Sequence, residues 1–339
     1  MLIDLHAHHI TKGMLRRHPH WGPDITDGGA LRVGDWVLGA TDKGSTSTVG
    51  GGLVGWMERA TLEPRLERMD QTGTDRLVVS VPAHMFMYWA EDFGTEYAAI
   101  VNDELAAYCA GAPDRLAFWG HANLADPGAA AKEITRAVVD LGAKGLSMGG
   151  ANFGGLQVHD PALDEVWSTL SELGAPVYVH GYNQSVTWGD KANDDPFDTT
   201  SILGFCYDEA LMFWYLINGG VLDRFPNLRV YITHGGGFVP FQLKRFHETN
   251  RTMAPDSRNE RPVLDYMKNF WFDLDLHSVA MRRAVVEDIG VDRLLYGTNF
   301  GGADSHDGDL TAGLGLDDET RERIRSGNAL EFLDWGNTK

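Results

Sequence analysis

The chain has 339 residues, 43% of them hydrophobic and 23% charged, a globular composition that argues against disorder. Its 29 basic and 48 acidic residues give a net charge of −19, which repels phosphate backbones and anionic membrane surfaces and so excludes nucleic acid and membrane as expected partners. The 2 cysteines, Cys109 and Cys206, rule out a disulfide scaffold and fit a reducing, cytoplasmic setting. No apolar run approaches the roughly 20 residues that span a bilayer. The opening MLIDLHAHHI has neither a basic flank nor an apolar signal core, so no secretion signal is expected.

In chain order, the runs expected as strands are Leu2–His6, Arg76–Val81, Leu116–His121, Gly145–Met148, Pro176–His180, Arg229–His234, Phe270–Asp275 and Arg293–Thr298. Amphipathic stretches lie between them, such as AAKEITRAVVDL over 130–141 and LDEVWSTLSEL over 163–173. This alternation predicts an α/β fold with a parallel sheet. Its eight units predict a distorted (β/α)8 TIM barrel. The rival open doubly wound sheet lacks its GxGxxG turn after the first strand. Residues 22–55, rich in Gly, Thr and Asp, are too long for an ordinary loop and are expected to form a small flap inserted after the first strand. Residues 183–198 read as an irregular loop at the same mouth. With no repeat or Pro-rich linker, residues 1–339 are expected to form a single domain.

In such a barrel the active site lies at the C-terminal ends of the strands, and there this sequence concentrates histidine. The first strand ends in His6-Ala7-His8, and alternation puts both imidazoles on one side. The third ends at His121, the fifth at His180, the sixth at His234 and the eighth beside Asn299. His6, His8 and His180 can hold one divalent ion with an open position for water, zinc being favoured and manganese the second choice. His234 is then placed as the proton carrier.

DLHAHH at the start, VYVHG at 177–181, YITHGGG at 231–237 and LLYGTNF at 294–300 resemble the metal-dependent amidohydrolase superfamily. RLERMDQTGTDRLVVSVP (65–82), MFMYWA (85–90), GGVLDRFPNLRV (219–230), HGGGFVPFQLKR (234–245) and GNALEFL (327–333) are similar to its branch typified by α-amino-β-carboxymuconate-ε-semialdehyde decarboxylase. The resemblance implies a one-metal barrel with His6, His8 and His180 as ligands and His234 as general acid or base. It implies too that Arg245 reaches into a partner's site in a homodimer to bind a substrate carboxylate, a task that suits a guanidinium fork.

The sequence departs from that branch at two places. Asn299 stands where the branch has a metal-binding aspartate, and an amide offers only a weak carbonyl ligand and no base. Either Asn299 is native, with His234 or Asp304 carrying the proton work, or it replaces a catalytic aspartate. Leu53 stands where the branch has an arginine, and Arg59 is out of register, so the carboxylate-rich muconate semialdehyde is not the expected substrate. The mouth offers instead His84, Met85, Phe86, Tyr88, Trp89, His121, Tyr182, Gln184 and Trp188. Of these, His84, Phe86, Trp89, His121, Tyr182 and Gln184 are the expected substrate contacts, walls that suit a flat conjugated acid. The leading expectation is a metal-dependent non-oxidative decarboxylase of an aromatic or conjugated carboxylic acid. Its rivals are a hydrolase or hydratase of the same superfamily and a form impaired by Asn299.

Overall fold

The computed structural model describes residues 1–27, 31–34, 36–38, 57–182, 199–302, 305–306 and 308–335. Each of the eight runs overlaps a strand: β1 (Ile3–His8), β2 (Arg76–Ser80), β3 (Leu116–Phe118), β4 (Leu146–Gly149), β5 (Val177–His180), β6 (Val230–Ile232), β7 (Phe270–Asp273) and β8 (Leu294–Leu295). They pair in parallel as two sheets, β1-β2-β3 and β4-β5-β6-β7-β8. Parallel single bridges link the sheets at both edges, Gly120 to Leu146 and Ala7 to Phe300. Around them the Ser147 N–H donates to Gly120 O at 2.7 Å, and the His8 N–H donates to Phe300 O at 2.9 Å.

The strands differ from their expected bounds in both directions. β1 runs two residues further, so both His6 and His8 lie within it. β3 stops at Phe118, β6 at Ile232 and β8 at Leu295, so His121, His234 and Asn299 stand beyond strand ends, not on them. Regular pairing is given up where the backbone bends to carry site residues. His234 and Asn299 both have positive φ, 48° and 55°, which ordinary strand residues do not adopt.

Between the strands lie α1 (Leu62–Thr72), α2 (Glu91–Cys109), α3 (Pro127–Thr135), α4 (Asp164–Leu173), α5 (Phe205–Asn218), α6 (Val239–Met253) and α7 (Val279–Ile289). α3 begins where the Asp126 side chain accepts the Ala129 N–H and Pro127 fills the first turn. α4 ends where Gly174 turns left-handed, φ 61°. Helices cover the strands from outside, so β1 is buried along its whole length. One apolar layer within the strands is built from Ile3, Leu5, Val78, Trp119, Tyr178 and Tyr231, and Phe332 from the last helix packs against it. Trp119 stacks on Tyr178 at 5.2 Å and donates to Leu5 O at 3.0 Å. Tyr178 brings that layer up against His6, 5.9 Å between ring centroids.

The expected insertion starts with three short antiparallel strands, Asp24–Ile25, Leu31–Val33 and Trp36–Leu38. Leu31 and Val33 are buried, and Trp21 lies 5.0 Å from Trp89. Residues 39–56, with Leu53, and residues 183–198, with Gln184 and Trp188, lie outside the described residues. Among the described residues no helix is long and apolar enough to cross a membrane.

Candidate metal centre

Four imidazoles meet at the C-terminal ends of β1, β5 and β6. Ring centroids are 5.4 Å apart for His6 and His8, 5.3 Å for His6 and His180, 5.0 Å for His8 and His180, 4.9 Å for His6 and His234, and 4.8 Å for His180 and His234. His6, His8 and His180 are buried. His234 reaches the cluster because the chain reverses at once after it. Gly235, Gly236 and Gly237 all have positive φ, and a Cβ at Gly237 would stand 2.2 Å from the Cys206 carbonyl oxygen. The HGGG string is thus a steric requirement of the turn.

Hydrogen bonds to the second ring nitrogen sort these imidazoles. His180 Nδ1 is 2.7 Å from Gly181 O, so Nδ1 carries the proton and Nε2 keeps its lone pair. Burial and the neighbouring imidazoles hold its pKa well below the usual value. His8 Nδ1 lies 3.3 Å from Ser80 Oγ. His6 Nδ1 faces two carboxylates, Asp273 Oδ2 at 3.3 Å and Asp275 Oδ2 at 3.4 Å. His234 differs in kind, because its Nδ1 bonds Glu209 Oε1 at 2.7 Å. Burial opposes charge on His234, but the Glu209 carboxylate, with Asp275 and Asp273 behind it, outweighs burial and pushes its pKa up to about 10. Glu209 is fully buried, which raises its own pKa, and its Oε1 also accepts from Thr233 Oγ1 at 2.7 Å and Gly181 N at 3.1 Å.

The donor set suits a divalent ion. One ligand atom each of His6, His180 and His234 lies within 4.8 Å of the others, and the same holds for His6, Asp273 and Asp275. Neutral imidazole with carboxylate is a set that zinc and manganese both accept. His8 enters neither tight set, although its ring stands in the same cluster. Asn299 is buried and left-handed, packed so closely on Gly302 that a Cβ there would lie 2.0 Å from its Oδ1.

The expected substrate contacts divide. Phe86, His121 and Tyr182 are buried with Tyr88 in a mutually packed wall. Phe86 stacks on His121 at 5.0 Å, and Tyr182 lies 6.1 Å from Phe86 and 5.5 Å from Tyr88. Trp89 instead packs on Trp21. His84 is half-buried, 6.3 Å from Phe205, which lies 5.2 Å from His180. The wall abuts the histidines at Gly149, the partner of His180 in the β4–β5 register. Arg245 is exposed on α6.

Glu209, Asp273, Asp275, His306 and Phe205 belong to the site and escape the sequence reading. Two signals for them exist. Asp208-Glu209 is the sole charged pair in the otherwise apolar α5 run FCYDEALMFWYLIN, and a buried carboxylate needs a partner. Asp273-Leu274-Asp275 at the end of β7 alternates as His6-Ala7-His8 does in β1, which aims both carboxylates inward.

Residues 3–335 match the amidohydrolase family. The chain is 26% identical to 2-amino-3-carboxymuconate-6-semialdehyde decarboxylase of Dictyostelium discoideum over 278 residues, 79% of this chain and 75% of that protein. Its fold superposes on 2,6-dihydroxybenzoate decarboxylase from Rhizobium with a TM-score of 0.79 at 22% identity, covering 99% of each chain. It superposes also on a dihydroxybenzoic acid decarboxylase from Polaromonas sp., solved with bound manganese and the inhibitor 2-nitroresorcinol. There the TM-score is 0.80 at 21% identity, over 99% of this chain and 98% of that one.

Proposed function

The chain belongs to the amidohydrolase family, and from that premise we propose that it is a metal-dependent, non-oxidative decarboxylase of an aromatic or conjugated carboxylic acid. The observation that carries the reading is the pairing of His234 with Glu209 at 2.7 Å beside the imidazoles of His6 and His180. It sets a protonated imidazole next to a cluster fit for a cation. The 2,6-dihydroxybenzoate and aminocarboxymuconate semialdehyde decarboxylases that resemble the chain support the substrate class.

His6, His8 and His180 would hold the ion, zinc or manganese. A bound divalent ion supplies Lewis acidity at a substrate oxygen. His234, kept protonated by Glu209, delivers the proton from Nε2 to the carbon that bears the carboxylate. The bond to the carboxylate then breaks, its electron pair stays with the substrate, and CO2 departs. One carboxylate and one proton become one C–H bond and one CO2, with no oxidant. Asn299 has no proton to exchange at neutral pH, so this assignment places the acid–base work on His234. The aromatic wall with Phe86, His121 and Tyr182, and His84 beyond it, presents flat apolar surface to the ring and keeps water out.

The reading also takes residues 1–339 as a single domain whose strands close into a barrel, supported by the bridges at both sheet edges. It takes residues 22–55 as a flap over the mouth. Arg245 acts in trans in a cytoplasmic homodimer, supported by the exposed Phe238 and Phe241 beside it on one helical segment. The test is CO2 release from a panel of hydroxylated benzoates and conjugated dienoates. Release by the native chain, lost in both His180→Ala and His234→Ala, is the expected result. Hydrolysis of an amide panel with no CO2 from any acid would move the site to the hydrolase reading.

A further inference from the structure

Resting on the metal reading above, we infer that Asp275 supplies to the centre the carboxylate that position 299 lacks. Three neutral imidazoles leave a divalent ion uncompensated, and an amide at 299 adds no charge. Two carboxylates stand beside His6, and their hydrogen bonds separate them. Asp273 already accepts hydrogen bonds at both oxygens. Its Oδ1 accepts Gly235 N–H at 2.7 Å and Asp275 N–H at 3.1 Å, and its Oδ2 accepts the Tyr231 hydroxyl at 2.7 Å.

Asp275 is also buried, only 5% exposed, yet its Oδ2 makes no hydrogen bond. That oxygen lies 3.4 Å from His6 Nδ1, and Asp275 forms with His6 and Asp273 a second group of candidate ligands that meets the imidazole group at His6. A buried carboxylate oxygen without a hydrogen bond is costly unless a cation comes to it. Its other oxygen is 2.9 Å from His306 Nε2, and the His306 N–H donates to Thr298 O at 3.0 Å. His306 thus stands between Asp275 and the segment that carries Asn299, and Oδ2 lies on the side of His6. Asp275 follows β7 by two residues and Asn299 follows β8 by four, and these two strands are paired neighbours.

The experiment titrates chelator-stripped protein with Mn2+ and reads free ion by electron paramagnetic resonance, with no activity required. Asp275→Asn should weaken Mn2+ binding by about 10- to 100-fold, the range lost when a supporting group of a metal site is removed. Adding Asn299→Asp to Asp275→Asn should recover most of that loss, because it returns a carboxylate from the next strand. His180→Ala reports on the centre itself. If His180→Ala weakens binding and Asp275→Asn does not, Asp275 is overturned while the centre stands. If His180→Ala binds as the native chain does, the centre fails with it. Lost affinity in Asp275→Asn without recovery in the double variant overturns the exchange of roles between 275 and 299. Should Asp275→Asn fail to fold by circular dichroism, His306→Gln, which keeps the carboxylate and frees its grip, should lower affinity by about tenfold; unchanged affinity there overturns the proposal.

Discussion

His121 is buried and His234 half-buried, each beside an aromatic ring and each following the C-terminal end of a strand, and their proton affinities move in opposite directions. Burial drives the pKa of His121 down to about 4. It pushes His234 the same way, yet His234 ends at about 10. What differs is one carboxylate. His121 stacks on Phe86 in a wall of rings, with its backbone clasped by Asn102. His234 has Glu209 at 2.7 Å. The mouth thus has two regions, an aromatic half that keeps its imidazole neutral and an acidic half that keeps its imidazole charged. A low-polarity surrounding neutralises a lone ionisable group and strengthens a paired one.

Glu209→Gln breaks this contrast most directly. The amide keeps the shape and removes the charge, so His234 should fall toward the behaviour of His121 and lose its proton at neutral pH. If His234 is the proton donor, kcat should drop by about 100- to 10,000-fold, the usual worth of one acid–base group. The NMR titration of His234 in the same variant should move to lower pH. An undiminished rate would remove His234 from the proton step.

The histidine cluster was legible in the sequence because strand alternation and strand-end position are local properties. HxH fixes a face, and His180 and His234 follow apolar runs that could only be strands. The eight strands were legible for the same reason. Their ends were not, because Ile232, Leu295 and Phe118 stop pairing where the backbone must turn left-handed or bend to present a side chain, and that need is set by the neighbours. The carboxylates escaped for a related reason. Glu209 is one charge in an apolar helix, and nothing local to α5 says that it meets His234, which follows it by 25 residues. Asp275 reads as the frayed end of β7 until His6 is seen beside it. Among the described aromatic residues, Phe86, Tyr88 and Tyr182 pack on one another and on His121, and that packing accounts for most of their burial.

Acid sharpens the comparison through His121. Its folded pKa of about 4 lies below the usual imidazole value of 6.5. Above pH 6.5 both folded and unfolded chains hold it neutral, and it adds no pH dependence. Below 6.5 the unfolded chain takes up the proton first, so stability falls with falling pH until about pH 4. The full effect is about 3 kcal/mol at 1.36 kcal/mol per pKa unit. His121→Phe removes this term, so urea midpoints of the native and variant chains should converge as the pH goes from 7 to 4, or the variant should overtake. Parallel pH profiles would show that His121 titrates normally and that the wall is wetter than its packing indicates.

The smallest effect tests whether the two halves are mechanically joined. Gly149 pairs with His180 in the sheet and lies against the aromatic wall. A Cβ there would stand 2.6 Å from Phe86 Cδ2 and 2.9 Å from Tyr182 Cβ. Its φ is not positive, so alanine costs nothing in the backbone and the whole penalty is overlap. Overpacking of this kind costs about 1–3 kcal/mol. Gly149→Ala should therefore lower the thermal midpoint by a few degrees, and Phe86→Leu in the same chain should return part of it by opening space at the ring edge. The informative readout is Mn2+ affinity measured alongside. If strain at 149 passes along the register to His180, affinity falls in Gly149→Ala and returns with Phe86→Leu. If the midpoint falls and affinity holds, the wall yields instead, and the histidine half keeps its geometry without help from the aromatic one.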